Sequence, residues 1–109
     1  MITRMWEAGV RPEVHDEFVR WLTDQVWPLM AEADGFAGGE LYTAYDGASR
    51  LVFITHWRDE TSLEAFAGAD WLREPVVGAD PAGDFLDGTP RVWHFRPLPT
   101  PPAEDTGSI

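Results

Sequence analysis

The sequence predicts an α+β domain with the element order β-α-β-β-α-β, because two strand-then-helix units follow one another and each is followed by a further strand. This is the ferredoxin-like arrangement around a four-stranded antiparallel sheet. Residues 50–77 carry the clearest signal: a strand apolar on both faces, a helix cap and a short helix with aromatic side chains. A strand of that kind is covered on both faces. We therefore expect helices on one face of the sheet and a second copy of the chain on the other, as in a dimeric α/β barrel.

The first half of the chain predicts one strand and one helix. Alternation over Ile2–Ala8 is typical of a strand, with the even-numbered residues on one face. Pro12 suits the first turn of a helix, and Gly35 ends the helical region. The apolar stripe of this helix consists of Val14, Phe18, Trp21, Leu22, Val26 and Leu29. Because Pro28 has no amide hydrogen, we expect the helix to kink or stop near Trp27.

A hairpin follows the first helix. Residues 36–45 and 51–57 have strand character, and Asp46-Gly47 between them is a turn signal. Gly38 and Gly39 indicate a bulge near the start of the first of these strands. The second has large apolar residues on both faces, which are Leu51, Phe53 and Trp57 against Val52 and Ile54.

The second helix and the last strand complete the predicted sheet. Asp59 is the expected N-cap of the helix, and Gly68 the residue where it frays or ends. Its buried stripe is Leu63, Phe66 and Ala67. Residues 91–96 are expected to form the last strand, beside the first one in the order 4-1-3-2.

Two segments have the composition of irregular chain. Residues 73–90 are rich in proline and glycine, which is typical of a lid or a partner contact, and Phe85 and Leu86 are expected to hold that segment in place. Residues 98–109 have the composition of a disordered, proline-rich tail. The folded domain is therefore expected to span residues 1–97.

Composition excludes several classes of partner. The net charge is −11, with 8 basic against 19 acidic residues, so phosphate backbones and anionic lipids are repelled. The chain has no cysteine, which leaves no disulfide framework. Its start has no apolar segment of a signal peptide, and no run reaches the roughly 20 apolar residues of a membrane span. We expect a cytoplasmic protein that binds neither nucleic acid nor membrane.

Three histidines are the candidate bases. His15 falls in a polar first helical turn and is expected to be solvated, whereas His56 is expected to point toward the dimer contact. His94 is expected beside the first strand, near Arg4 and Trp6, either as a hydrogen-bonded core residue or as a catalytic base. The spacing of these histidines does not favour a metal site, and no metal is expected.

Arg4 is unusual because it carries a charge on an inner strand. A buried guanidinium needs an anion or other acceptors. One interpretation is an ion pair with Glu7, Glu40 or Asp70. The other is a clamp for a phenolate, an enolate or a carboxylate of a substrate.

The aromatic residues suggest a wall for a flat ligand. Six Trp and six Phe exceed what a core of this size needs. The candidate substrate-binding residues are Trp6, Tyr42, Trp57, Phe66 and Trp71. The alternative is a purely structural role, which is the stronger interpretation for Trp57 and Phe66 and the weaker one for Trp6 and Trp71.

Several passages resemble antibiotic biosynthesis monooxygenase domains. These are MITRMW, WPLMAEADGFAGGELY, VFITHWRD followed by SLEAFAG, and RVWHF. The similarity covers about residues 1 to 96. It implies a homodimer whose sheets pack face to face, with one cleft per subunit between sheet and helices. The family includes cofactor-independent oxygenases that oxidise anthrone-type polyphenols with O2, and it also includes haem-degrading enzymes.

The chain departs from the catalytic patterns of the family. Haem degraders carry an asparagine where Trp6 stands and an axial histidine where this chain reads DWLREP. Anthrone oxygenases carry an asparagine at the position of Phe53. Quinol-oxygenase-like members carry a glutamate and a histidine at the positions of Thr55 and Phe66.

The resemblance and the residues together predict a cofactor-independent monooxygenase. Its substrate is expected to be an aromatic polyphenol or quinone-type metabolite, with His94 as the base and Arg4 as the stabiliser of the anion. The alternatives are a cyclase or isomerase of the same fold and a non-catalytic protein that binds a small ligand.

Overall fold

The computed structural model describes residues 1–72 and 85–102, which form a four-stranded antiparallel sheet with helices packed on one face. The sheet order is β2-β3-β1-β4, so the ferredoxin-like prediction and the expected strand order are both confirmed. The strands are β1 (Ile2–Gly9), β2 (Phe36–Thr43), β3 (Arg50–Trp57) and β4 (Arg91–Phe95). The helices are α1 (His15–Trp21), α2 (Trp27–Ala31) and α3 (Glu60–Ala67), and a 3-10 turn over Pro12–Val14 precedes α1.

The strand β1 lies between β3 and β4, and its alternation sets the two faces of the sheet. Arg4, Trp6 and Ala8 are buried on the helix-covered face, as the alternation predicts. The paired register places Arg4 between Thr55 and His94. The helix-covered face therefore brings an arginine and a histidine side by side.

Pro28 predicts a kink or a stop of the first helical region near Trp27. The helical region does not stop there but continues to Ala31. A π-helical segment over Leu22–Val26 separates α1 from α2, and Pro28 falls in the first turn of α2. An amide hydrogen is dispensable in a first helical turn. The proline is therefore accommodated by a change of helical pitch instead of by a break.

The turns and caps are those that the sequence predicts. The register shifts between Phe36 and Gly38, which confirms the bulge, and Gly47 has a positive φ in the turn after β2. The side chain of Asp59 accepts a hydrogen bond of 2.8 Å from the amide of Ser62, which confirms the N-cap of α3. The strand β2 ends at Thr43, two residues earlier than predicted.

The core lies between the sheet and the helices. Phe18 is fully buried, and its ring stacks on that of Trp21. The ring of Phe85 also packs against Phe18, with 4.9 Å between the centroids. Leu86 is buried and forms an isolated bridge with Val10. Phe85 and Leu86 thus hold the end of the proline- and glycine-rich segment against the core, as predicted, whereas residues 73–84 of that segment lie outside the described part.

The predicted tail is described only over 98–102. These residues have no helix or strand, and Leu98 is exposed. Residues 103–109 lie outside the described range, so the domain boundary at 97 stays a prediction.

No helix within residues 1–72 and 85–102 covers the other face of the sheet. Met5, Val52 and Ile54 are half-buried there. Two aromatic side chains of β4 share this face and are exposed, Trp93 by 38% and Phe95 by 52%. Apolar side chains of β1, β3 and β4 are therefore left uncovered by the described part of the chain.

Candidate functional site

Three residues meet on the helix-covered face at the edge of the sheet: Arg4 of β1, His94 of β4 and Trp71 after α3. Nη1 of Arg4 donates a hydrogen bond of 2.7 Å to the backbone carbonyl of Trp71 and lies 3.0 Å from Nε2 of His94. The ring of Trp71 stands edge-on to the imidazole, with 4.9 Å between centroids and an interplanar angle of 89°. A turn at Gly68, whose carbonyl accepts from the amide of Trp71, follows the end of α3 and leads into this position.

The contact between Arg4 and His94 fixes the tautomer of the imidazole. A guanidinium only donates hydrogen bonds, so Nε2 of His94 must accept, and Nδ1 carries the hydrogen of the neutral ring. Burial, and then the charge of Arg4, lowers the pKa of His94 to about 4. Burial also lowers the pKa of Arg4 to about 10. At neutral pH the site therefore holds a neutral imidazole against a charged guanidinium that is only 4% exposed.

Two of the acidic partners proposed for Arg4 are wrong. Glu7 lies on the opposite face of the sheet, where it pairs with Arg50 and Arg91 at 3.4 and 3.5 Å. Glu40 pairs with His56 at 3.1 Å on that same face. Asp70, the third proposed partner, is an exposed residue next to Trp71.

Trp6 is the aromatic candidate nearest to Arg4 along the chain. It points from β1 to the same face and is 7% exposed, with its ring 6.2 Å from that of Phe18. Trp6 thus belongs to the core and at the same time borders the row of Arg4 and His94.

The other aromatic candidates are placed differently: Trp57 borders the site through Thr55, which lies opposite Arg4, whereas Tyr42 lies on the other face of the sheet. Trp57 is fully buried, donates from Nε1 to Oγ1 of Thr55 at 2.9 Å and packs against Phe66 at 5.2 Å between centroids. Tyr42 pairs with Val52 and is 53% exposed on the uncovered face. The structure therefore brings Arg4, Trp71 and His94 together, with Trp6 and Trp57 in the two adjoining rows. Phe66 packs against Trp57, and Tyr42 lies on the other face.

A groove of about 470 Å³ opens beside His94, between the first turn of α3 and the edge strand β4. Its lining residues are Met1, Ile2, Arg58, Asp59, Glu60, His94, Phe95 and Arg96. This groove and the carbonyl of Trp71 are the parts of the site that sequence reasoning missed. A backbone acceptor leaves no residue-type signal.

The other two histidines have different surroundings. His15 is predicted to be solvated, but its ring lies 3.0 Å from Oγ1 of Thr43 and 3.2 Å from the carboxylate of Asp16. His56 lies on the uncovered face, between Oγ1 of Thr3 at 3.0 Å and the carboxylate of Glu40. Within residues 1–72 and 85–102, no cluster of three or more His, Asp or Glu side chains is suited to a metal ion.

A candidate haem-binding protein of Natronomonas pharaonis is 31% identical over 67 residues, or 62% of this chain. The match spans about a tenth (11%) of that relative's length. The described residues do not fit a haem iron ligated by histidine, which needs an imidazole nitrogen with a free lone pair. The lone pair of His94 faces Arg4, His15 and His56 are engaged elsewhere, and α3 has no histidine.

Solved structures share the fold. A structure described as an antibiotic biosynthesis monooxygenase superposes with a TM-score of 0.70 at 15% identity, covering 91% of this chain and 100% of that one. A protein of Mycobacterium tuberculosis superposes with a TM-score of 0.69 at 21% identity, covering 91% of this chain and 96% of that one. A monooxygenase of Streptomyces coelicolor in complex with nanaomycin D superposes with a TM-score of 0.66 at 18% identity, covering 91% of this chain and 88% of that one.

The described helices are too short or too polar to cross a bilayer. The sequence profile of antibiotic biosynthesis monooxygenases matches residues 1–74, from the start of β1 to just beyond the Trp71 turn. That span includes Arg4 and Trp6 and ends before His94. The chain belongs to the antibiotic biosynthesis monooxygenase family.

Proposed function

We propose that this domain oxidises an aromatic polyphenol or quinone-type metabolite with O2, without a cofactor, at the site formed by Arg4, His94 and Trp71. The observation that carries the proposal is the neutral imidazole held 3.0 Å from a buried guanidinium. A cofactor-independent oxygenase needs a proton acceptor, a positive charge for the resulting anion and a dry aromatic wall. These three elements adjoin one another here.

Arg4 is the proposed anion stabiliser. Its charge is preserved at neutral pH although burial lowers its pKa to about 10. A phenolate or enolate oxygen next to this guanidinium gains more than it would in water, because the local dielectric is low. Trp71 and Trp6 supply apolar surface that excludes water from the same region.

His94 is the proposed proton acceptor, at Nε2. An anionic oxygen that takes over the Nη1 donor of Arg4 leaves Nε2 available and cancels part of the charge that lowers the pKa of His94. The imidazole then removes a proton from the activated carbon of the substrate. Binding of the substrate anion thus strengthens the base that acts on it.

The reaction is balanced without any further reductant. The substrate carbanion transfers one electron to O2, and the two radicals combine to form a carbon–oxygen bond. The imidazolium returns its proton to the peroxide, and loss of water converts a methylene into a carbonyl. One oxygen atom of O2 enters the product and the other leaves in water.

The fold likeness to a monooxygenase solved in complex with nanaomycin D supports, by analogy, an oxygenase that binds a small molecule. The family membership supports the reaction type in the same way.

The test is O2 uptake with a simple anthrone as the substrate. Wild-type protein should consume O2 and form the quinone, and His94→Ala should lower turnover by about 10²–10⁴-fold, the range for a lost general base. His15→Ala is the matched control, because His15 lies outside the site. Conversion under argon would indicate the cyclase or isomerase alternative, and binding without conversion would indicate a non-catalytic ligand-binding protein.

A homodimer is part of the proposal. The uncovered face combines half-buried Met5, Val52 and Ile54 with exposed Trp93 and Phe95. Exposed large apolar side chains, here interspersed with the ion pairs of Glu7 and Glu40, are typical of an interaction site. A second copy of the chain is the occupant that we propose, since it would cover the same face on both molecules.

The proposed location is the cytoplasm. The chain has no cysteine, which is typical of proteins that do not depend on an oxidising compartment. Its net charge of −11 also disfavours nucleic acid as a partner.

A further inference from the structure

The indole of Trp6 holds a buried hydrogen-bond donor without an acceptor. Its Nε1 has no hydrogen-bond partner among the described residues, and the side chain is 7% exposed. Buried polar groups in folded proteins are nearly always paired, so an orphaned one requires a physical explanation. The other buried tryptophan, Trp57, follows the rule, because its Nε1 donates to Oγ1 of Thr55 at 2.9 Å.

The position of Trp6 connects this donor with the proposed site. Trp6 and Arg4 point to the same face from β1, two residues apart, so their Cα atoms are separated by roughly 7 Å. On β4, Val92 lies opposite Trp6 and His94 lies opposite Arg4. The residue that carries the unpaired donor therefore occupies the row next to Arg4 and His94.

We propose that Trp6 Nε1 is a substrate-reading donor, which hydrogen-bonds a neutral carbonyl or hydroxyl oxygen of a ligand whose anionic oxygen binds Arg4. This inference rests on the proposed function and adds a substrate class to it. The ligand carries two oxygen functions on one flat ring system, one ionised and one a neutral acceptor. An aromatic with a single phenolic oxygen would leave the indole N–H unpaired.

Two probes that differ only in the neutral acceptor test the binding step. A hydroxyanthraquinone has ring carbonyls, and the hydroxyanthracene with the same outline has none. Tryptophan fluorescence titration should give wild-type protein a Kd at least about tenfold lower for the quinone, the fold-change of a buried donor that becomes paired.

Trp6→benzothienylalanine removes the N–H and keeps the shape of the bicyclic ring. This variant should lose most of the preference for the hydroxyanthraquinone and still bind the hydroxyanthracene as wild type does. An unchanged preference would overturn the inference. The proposed function would survive that result, because O2 uptake with anthrone is measured separately and would continue.

The stability of the free protein gives an independent readout. Because the N–H of Trp6 is unpaired, Trp6→benzothienylalanine should leave the melting temperature of the free protein equal to or above that of wild type. Trp57→benzothienylalanine is the matched control and should lower it, since the acceptor Thr55 loses its donor. A lower melting temperature for the Trp6 variant would mean that the N–H is already satisfied in the free protein, and would overturn the inference.

Discussion

Acid should destabilise this protein partly through His94, and the effect has a definite sign. Burial and the charge of Arg4 lower the pKa of His94 from 6.5 to about 4 in the folded protein. In the unfolded chain His94 therefore binds a proton as the pH falls through 6.5, whereas in the folded chain it stays neutral until about pH 4. The contribution of neutral His94 to the free energy of unfolding is present in full above pH 6.5. It is lost progressively as the pH falls from 6.5 toward 4.

The size of this contribution follows from the difference between the two pKa values. The interval from 6.5 to about 4 corresponds to an upper limit of roughly 3 kcal/mol. His94 is only partly buried, so solvent screening reduces the expected value to about 1–2 kcal/mol.

The assay is urea unfolding of wild type and His94→Gln at pH 7.5 and at pH 4.5. Glutamine offers Arg4 an amide oxygen and does not titrate, and every carboxylate is common to both proteins. We expect the free energy of unfolding of wild type to fall by about 1–2 kcal/mol more than that of the variant. Equal losses in the two proteins would refute the account of a neutral His94 pressed against Arg4.

Three further predictions follow from the faces of the sheet and the surroundings of the histidines. Ile54→Lys should convert the proposed dimer to a monomer in light scattering, because it places a charge among the apolar side chains of the uncovered face. A wild-type protein that is monomeric at micromolar concentration would contradict the dimer proposal. Titration with haemin should give no sharp Soret shift of a histidine-ligated ferric haem, since Nε2 of His94 faces Arg4, and a clear shift at one equivalent per subunit would contradict the assigned geometry. Truncation after Leu98 should change the melting temperature by no more than about 2 °C, because Leu98 is exposed and residues 99–102 have no helix or strand. A larger fall would show that the tail docks on the domain.

The sequence was sufficient to predict the pairing of Arg4 with His94. Alternation in β1 fixes the face of Arg4, and the ferredoxin-like strand order places β4 beside β1. Both features depend only on the two-residue period of a strand and on the order of the strands. The carbonyl of Trp71 could not be predicted in this way, because its position depends on the turn after α3 and not on the type of side chain.

Tyr42 shows how one local irregularity defeats a pattern argument. Phe36 and Tyr42 are both even-numbered, so an unbroken strand would put them on one face. The bulge between Phe36 and Gly38 shifts the register by one residue, and Tyr42 turns to the uncovered face. The two glycines predict the bulge, and the face of Tyr42 follows only when its effect on every later residue of β2 is included.

The helix that continues through Pro28 has a related explanation. Proline interrupts a regular helix because its amide hydrogen is missing. The π-helical segment at Leu22–Val26 starts a new helical register in which Pro28 occupies a first turn. A rule based on the proline alone does not include that change of pitch.

The most direct test of the central claim is the source of the oxygen atom that enters the product. Anthrone is incubated with the protein under isotopically heavy dioxygen in ordinary water, and the quinone is analysed at once by mass spectrometry. The account predicts one heavy oxygen atom in each new carbonyl with wild-type protein, and a matching loss of product with His94→Ala. A carbonyl oxygen that comes from water, or product formation that does not depend on His94, would contradict it.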